Sequence, residues 1–537
     1  MTSTSSVPDA RVSALHDRSA PRVESERNRI LRRADWRFLL PNPWPDRALC
    51  VGGTELRRSC AVIAGSTDHE PQPDVAYDLV VAEDPDDVTL RLLARSMGPD
   101  GVCYVESGSV GPGGVGRLRR RLESAGLRHA TCYQPWPAHI PSRAWIPAVG
   151  PAAAHYWRGA VRSTRVRRDK LSDAAGHVAA WLGVRSRLCV VALGPHASRA
   201  DTNADPFLLR ATRQGTTLSA DDSDTESAGE RFLLLTPGAR SVGKIVALVF
   251  NSSGTPAVAV KTTRVPESAP ALIREADLLD TVHALHGGGM RGVPHVLFRA
   301  DMRGEPIIGE SALAGTPLAA LLNRRRYPEI AERVTEWLSL LAEPAVMAPA
   351  EPVWERLVAP TLERFEREFA PVLDPARLRR TRAILRTLGP LPVVCEQRDF
   401  SPWNVFEGEN GIVALDWESG EPRGLPALDL VYFFTHAAYY LEGAWTSGRF
   451  EAAYRSAWSR ETSIGRINNS CLAAYLARLG LSMLVLEPLR LFAWVVHSHS
   501  DYVHRCVDAG GTPSRRSLLE STFLRLYNAE LAGNMPC

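Results

Sequence analysis

Cys395-Glu396-Gln397-Arg398-Asp399-Phe400-Ser401-Pro402-Trp403-Asn404 is followed by the apolar run Gly411-Ile412-Val413-Ala414-Leu415, which closes on Asp416-Trp417-Glu418. A carboxylate, an amide five positions later and a second carboxylate ending a short buried strand supply hard oxygen donors. Phosphoryl transfer needs such a set. One carboxylate receives or orients the attacking hydroxyl, while the amide and the second carboxylate hold Mg2+ against nucleotide phosphates. Taken alone, Asp-x-x-x-x-Asn is a turn with Pro402 inside it, a spacing that recurs by chance. Its weight comes from what precedes it.

Upstream, Phe232-Leu233-Leu234-Leu235-Thr236-Pro237-Gly238-Ala239-Arg240-Ser241-Val242-Gly243-Lys244-Ile245-Val246-Ala247-Leu248-Val249-Phe250 reads as strand, glycine turn, strand. Gly238, Ser241 and Gly243 in that turn would let backbone N–H groups approach phosphate. Ala257-Val258-Ala259-Val260-Lys261 is a third strand ending in a lysine, and Leu272–Leu279 is a helical run carrying Glu275. A strand-borne lysine steadied by a helix glutamate can pair with the α- and β-phosphates of a nucleotide. Lysine, glutamate, Asp…Asn and Asp stand in the order that a bilobal phosphoryl-transfer fold requires.

On these motifs, residues 231 to about 530 resemble the aminoglycoside phosphotransferase and choline-kinase-like family, with a protein-kinase-like fold. Asp399-Phe400-Ser401-Pro402-Trp403-Asn404-Val405, Leu415-Asp416-Trp417-Glu418 and Pro426-Ala427-Leu428-Asp429-Leu430 carry the likeness. The resemblance implies that Asp399 is the catalytic base and that Asn404 and Asp416 bind Mg2+. It further implies that Lys261 contacts the phosphates of ATP or GTP, that Glu275 fixes Lys261, and that Asp429 buttresses the catalytic loop. The acceptor would be a hydroxyl on a small molecule of the aminoglycoside, sugar or amino alcohol class. One position departs: where the family places a histidine two residues before the catalytic Asp, this chain has Gln397.

The rest of the chain sets the frame. Its 537 residues correspond to about three or four domain-sized units. The 63 basic against 60 acidic side chains leave a formal charge of +3, so no global field argues for nucleic acid. The nine cysteines are odd in number and lack C-x-x-C spacing, which fits reduced thiols in a cytoplasm. Residues 1–28 lack an apolar segment and read as a disordered N-terminus, not a signal peptide. Cys471–Val496 is interrupted by Arg478, Glu487 and Arg490 and reads as buried helices instead of a transmembrane segment.

Residues 29–198 alternate apolar runs with helical patterns, which suggests an α/β layer. Ala48–Val51, Cys60–Ile63, Asp78–Ala82, Val102–Val105 and Leu188–Leu193 read as strands; Val88–Ser96 and Val115–Ala125 read as helices. The order resembles the later half of a Rossmann-like methyltransferase domain, in degenerate form. After the first strand Val51-Gly52-Gly53-Thr54 lacks G-x-G-x-x-G, and about eight residues to the next strand leave no room for a crossover helix. Gly111-Pro112-Gly113-Gly114-Val115-Gly116 matches that pattern on a late strand with no acidic residue about twenty positions on, so it reads as a flexible connection. The basic stretch Arg158–Lys170 reads as a solvated helix face, with contact to an anionic membrane surface as its alternative.

Residues 199–230 read as an acidic linker, 231–312 as a small lobe and 313–537 as a helical large lobe. The expected fold is therefore an α/β Rossmann-like domain followed by an α+β bilobal protein-kinase-like domain. Two other readings compete with a nucleotide- and Mg2+-dependent phosphotransferase. One is a pseudokinase scaffold, motivated by Gln397. The other is a bifunctional protein whose N-terminal domain binds S-adenosylmethionine.

Overall fold

The computed structural model describes residues 26–110, 113–137, 142–157, 186–195, 205–216, 228–236, 243–346, 348–509 and 511–532. Gly238, Ser241, Gly111-Pro112 and residues 158–170 lie outside the described residues. The chain forms two compact units: Glu26–Ile273 with Val296–Leu313, and Arg274–His295 with Ala314 onward.

In the first unit twelve strands form one sheet. In chain order they are β1 (Arg47–Val51), β2 (Ser66–Asp68), β3 (Tyr77–Glu83), β4 (Met97–Val110), β5 (Arg128–Trp136), β6 (Ala144–Pro147), β7 (Ser186–Leu193), β8 (Phe232–Leu235), β9 (Lys244–Phe250), β10 (Pro256–Thr263), β11 (Val296–Met302) and β12 (Glu305–Ser311). Across the sheet they lie β11-β12-β10-β9-β8-β6-β5-β7-β4-β3-β1-β2. Strands β1 to β4 pair in parallel and the others antiparallel. The N-terminal α/β segment and the strand that carries Lys261 thus share one hydrogen-bonded surface. The join is β6 against β8, with Ala144 opposite Leu235 and Trp145 opposite Leu234.

Period-two alternation explains how the sheet is covered on both sides. Ala48 and Cys50 of β1 enter one apolar cluster while Leu49, between them, enters another. The first cluster runs from Trp36 and Phe38 through Phe207 and Phe232 to Val260 and Ile307, so one core underlies strands from both ends of the unit.

Three expectations are corrected here. Cys60–Ile63 is not a strand but the end of the helix Thr54–Ile63. Leu56, Cys60 and Ile63, four and three residues apart, bury one helical face. A crossover helix therefore does fit between β1 and β2, which pair in parallel from Arg47 opposite Ser66. Within the stretch read as a linker, Phe207–Gly215 forms a helix that buries Phe207, Leu208 and Leu209. Strands β2, β5 and β6 had no expectation; β5 alternates too weakly, with Arg128 and His129 at its start.

The second unit is helical around a short hairpin. Its central helix, Leu428–Leu441, is buried over nearly its whole length. Around it stand Tyr327–Leu341, Ala359–Phe369, Phe450–Trp458, Ser463–Arg478 and Leu486–Ala509. Cys471–Val496, expected as buried helices, falls on two: Gly480 takes a left-handed φ of 67° after the first, and the Ser482 side chain accepts from Leu484 N–H before the second. Among the described residues no single helix is long and apolar enough to cross a membrane.

One ion pair ties distant parts of the first unit. Arg264, just past β10, donates through Nε and Nη2 to both oxygens of Asp35 at 2.7 and 2.8 Å, and neither side chain is exposed. Arg37 adds a bond to the Arg264 carbonyl at 2.7 Å. Asp35→Ala strands a buried guanidinium and is expected to cost about 3–5 kcal/mol, read as a lowered urea midpoint; an unshifted midpoint removes this clasp from the fold's support.

Candidate active site

Strand Val394–Glu396 delivers the chain to a loop, and the loop feeds a hairpin of Val405–Gly408 and Gly411–Ala414. Pairing of Val405 with Ala414 brings the flanking residues together at the hairpin's open end, where Leu415 N–H donates to the Asn404 carbonyl at 3.0 Å. Asn404 and Asp416 therefore emerge side by side. Inside the loop, Ser401 N–H reaches the Asp399 carbonyl at 2.7 Å and Asn404 N–H the Ser401 carbonyl at 2.9 Å. Phe400 is buried beneath it, stacked on Trp337 at 5.4 Å.

Two of the candidate side chains are joined. Asn404 Nδ2 donates to Asp399 Oδ2 at 2.7 Å. That donation fixes the amide's orientation and leaves Asn404 Oδ1 as an acceptor for a cation. Asp399, Asn404 and Asp416 are all half-buried, so their oxygens remain within reach of a ligand. Burial pushes the Asp399 carboxyl well above its usual range, and the neighbouring Asp416 charge adds to the rise. Bonds from Tyr432 and Asn404 act in the opposite sense. Two carboxylates and an amide oxygen form a donor set suited to Mg2+. The residues present fit that ion.

Gln397 occupies the position where the resemblance expects histidine. Its Oε1 accepts Asp399 N–H at 2.8 Å, and its Nε2 donates to the carbonyls of Leu415 at 2.9 Å and Asp416 at 2.5 Å. One neutral amide thereby fastens the catalytic loop to the end of the hairpin. Asp429 performs the same service from below, accepting Gln397 N–H and Arg398 N–H at 2.8 Å each. Burial, then the nearby Glu396 charge, raises the Asp429 carboxyl to about 7. Arg398 and Asp416 both sit at left-handed φ, 62° and 63°. Such backbone costs about 1–3 kcal/mol per residue and persists only where its surroundings over-determine it.

Glu275 belongs to this unit, where its Oε1 accepts Trp417 N–H at 3.1 Å beside Asp416. Lys261 belongs to the first unit, where its Nζ lies 2.7 Å from Glu310 Oε2 with both side chains buried. Glu310 is on β12, with Ala259 of β10 opposite it. Cross-strand neighbours on one face meet in this way, and only the strand register reveals the pair. Gly243, the described member of the glycine turn, accepts Arg264 N–H at 2.6 Å; a Cβ there would fall 2.1 Å from Ser268 Oγ. Tyr432 and Glu396 were also missed. Glu396 is buried and receives Arg398 Nε at 2.6 Å.

On the last long helix, His497 stacks on Tyr432 at 4.1 Å and Asp501 pairs with Arg505 at 2.8 Å. His436, one helical turn beyond Tyr432, is buried, and its Nδ1–H donates to the Tyr432 carbonyl at 2.9 Å. Burial lowers its pKa to about 4, so the ring is neutral near pH 7.

No protein-family profile matches the chain, and no curated protein does. Solved structures do match part of it. An aminoglycoside phosphotransferase of Streptomyces rimosus, solved with ADP and streptomycin, is similar at 17% identity over 45% of this chain and 90% of its own, with a TM-score of 0.28. An aminoglycoside phosphotransferase of Alicyclobacillus acidocaldarius gives 13% identity, 54% and 89% coverage, and a TM-score of 0.29. A spectinomycin phosphotransferase, solved with ADP and spectinomycin, gives 10%, 55% and 86%, and 0.25.

His436 yields a pH dependence of defined sign. Its folded pKa, about 4, lies below its ordinary 6.5, so the unfolded chain binds the extra proton between those values and stability falls as the pH drops through that window. The loss from this one ring is about 2–3 kcal/mol by pH 4.5. Urea unfolding at pH 6.5 and 4.5 is expected to show a smaller acid loss in His436→Gln than in the parent chain; equal losses contradict a neutral buried ring.

Proposed function

We propose that this chain is a nucleotide- and Mg2+-dependent phosphotransferase acting on a hydroxyl of a small molecule. The observation that carries the reading is the hydrogen-bonded Asp399–Asn404 pair with Asp416 beside it at the open end of one hairpin. Asp399 orients the acceptor hydroxyl and takes up its proton as the oxygen attacks. Its raised affinity for protons suits that task, while the bond from Asn404 aims the accepting oxygen. Asn404 Oδ1 and the Asp416 carboxylate would hold Mg2+, which when bound neutralises charge on the transferring phosphoryl group. Lys261, held by Glu310, would contact the phosphates of ATP or GTP, and the Gly238–Gly243 turn would offer backbone N–H groups to them. Glu275 supports the backbone after Asp416 through Trp417. Positioning and charge stabilisation would carry most of the rate.

Gln397 bears on the competing scaffold reading. Its amide satisfies both sides of the loop, so the absence of histidine leaves no bond unmade there. The structural role is filled by a group that neither gains nor loses a proton. This favours an enzyme over a pseudokinase.

For residues 29–198 the parallel order β2-β1-β3-β4 supports a Rossmann-like layer, since doubly wound sheets place ligands where strand order reverses, here between β1 and β3. At that point Gly53 N–H is taken by Glu83 Oε2 at 2.9 Å. The chain's own carboxylate thus occupies the donor that an anionic ligand would use, which favours a structural role for this half over a second activity.

Asp399→Ala is expected to lower turnover at least about 10²-fold, the lower range for a lost general base; unchanged nucleotide consumption with a working acceptor refutes the assignment. Asp416→Ala is expected to weaken Mg2+-dependent binding of a non-hydrolysable ATP analogue by about tenfold or more. Equal affinities by calorimetry, with and without Mg2+, sink the metal assignment while leaving Asp399 to be judged on its own.

A further inference from the structure

Beside Asp399 the second unit builds a surface of rings. Tyr432 lies close enough to the Asp399 carboxylate to act on its proton affinity, and Tyr432, His436 and Tyr440 recur every four residues along one face of Leu428–Leu441. Tyr432 and His436 lie 4.1 Å apart by ring centroid, and the edge of Trp403 meets His436 at 5.1 Å. Beyond them Trp403, Tyr440 and Trp445 come together at 6.3 to 6.5 Å. The row is buried at Tyr432 and His436 and becomes half-exposed at Trp403, Tyr440 and Trp445.

The surface is charge-neutral. His436 is uncharged near pH 7, and the carboxylate at the far end, Glu442, receives Arg324 Nη2 at 3.1 Å. Its three outer rings touch one another and form a wall, whereas a cage for a point cation needs rings spread around a gap. Tryptophan and tyrosine offer broad apolar faces with a polar edge, which suits a ring with a C–H face and a hydroxylated rim. Glu418, the other acid whose charge reaches Asp399, is exposed.

We infer that Trp403, Tyr440 and Trp445 select the acceptor, and that it is an uncharged hydroxylated ring compound that stacks on them. This rests on the phosphotransfer reading above and narrows its substrate class. Polycationic amino sugars and quaternary amino alcohols are then poor acceptors, because uncharged rings replace little of the hydration those cations lose.

The test uses the full chain and two uncharged aryl glycosides, p-nitrophenyl β-D-glucopyranoside and salicin, against choline and kanamycin. Saturation-transfer NMR is expected to show binding of the glycosides and none of the cations. Tyr440→Ala and Trp445→Ala are each expected to weaken glycoside binding by about tenfold, the scale of one lost stacking partner. With MgATP present, the same variants should raise the glycoside KM by a like factor while kcat changes far less. Transfer confined to choline or kanamycin, no binding of either glycoside, or glycoside binding equal in parent and variants overturns the inference. Glycoside binding that the variants weaken, without any ADP release, upholds the wall and defeats the phosphotransfer reading instead.

Discussion

The side-chain amide of Gln397 is the constraint on which the site depends. Through three bonds it ties the backbone that presents Asp399 to the backbone that presents Asp416. Those two backbones belong to segments separated by a hairpin, and each includes a residue in a conformation that side chains seldom adopt. Hydrogen bonds to buried groups are costly to leave unmade, so the amide and the Asp429 carboxylate beneath it hold the strained loop in one shape. The arrangement of this loop, a carboxylate bonded by an amide and a second carboxylate close by, follows from that fastening.

The first unit is organised on a different principle. Its strands come from both sides of a long acidic segment, yet they share one ladder and one apolar core. Asp35 and Arg264, 229 positions apart, close that core with a fully buried pair. Buried pairs do not repay their desolvation by charge alone, but they discriminate strongly against partial structures in which one member is stranded. The strand that carries Lys261 is thereby fixed from the N-terminal side of the chain.

The meeting of Asp399, Asn404 and Asp416 was more legible than the architecture. Spacing brings these three together because five residues of loop and a four-residue strand can be arranged in few ways. Lys261 was legible as a buried strand lysine, but its partner Glu310 depends on how β10 and β12 align, which no local pattern records. Cys60–Ile63 was misjudged because a short apolar run fits a strand or the last turn of a helix, and only its spacing from Leu56 decides. The stretch after Asp205 looked like linker because its composition is polar on average, while its first helix turns Phe207, Leu208 and Leu209 inward. The aromatic wall was invisible as a unit, since Trp403 and Trp445 meet Tyr440 only once the central helix is in place.

The seam between β6 and β8 has a consequence for anyone dividing this chain. Cutting between the α/β segment and the segment that resembles a kinase lobe would not separate two finished bodies. It would leave each fragment with a raw row of unpaired peptide groups and half a core in water. Such edges are adhesive, so the fragments would tend to clump or to recombine with one another. A cut placed by sequence likeness alone would fall through the middle of a fabric woven from both pieces.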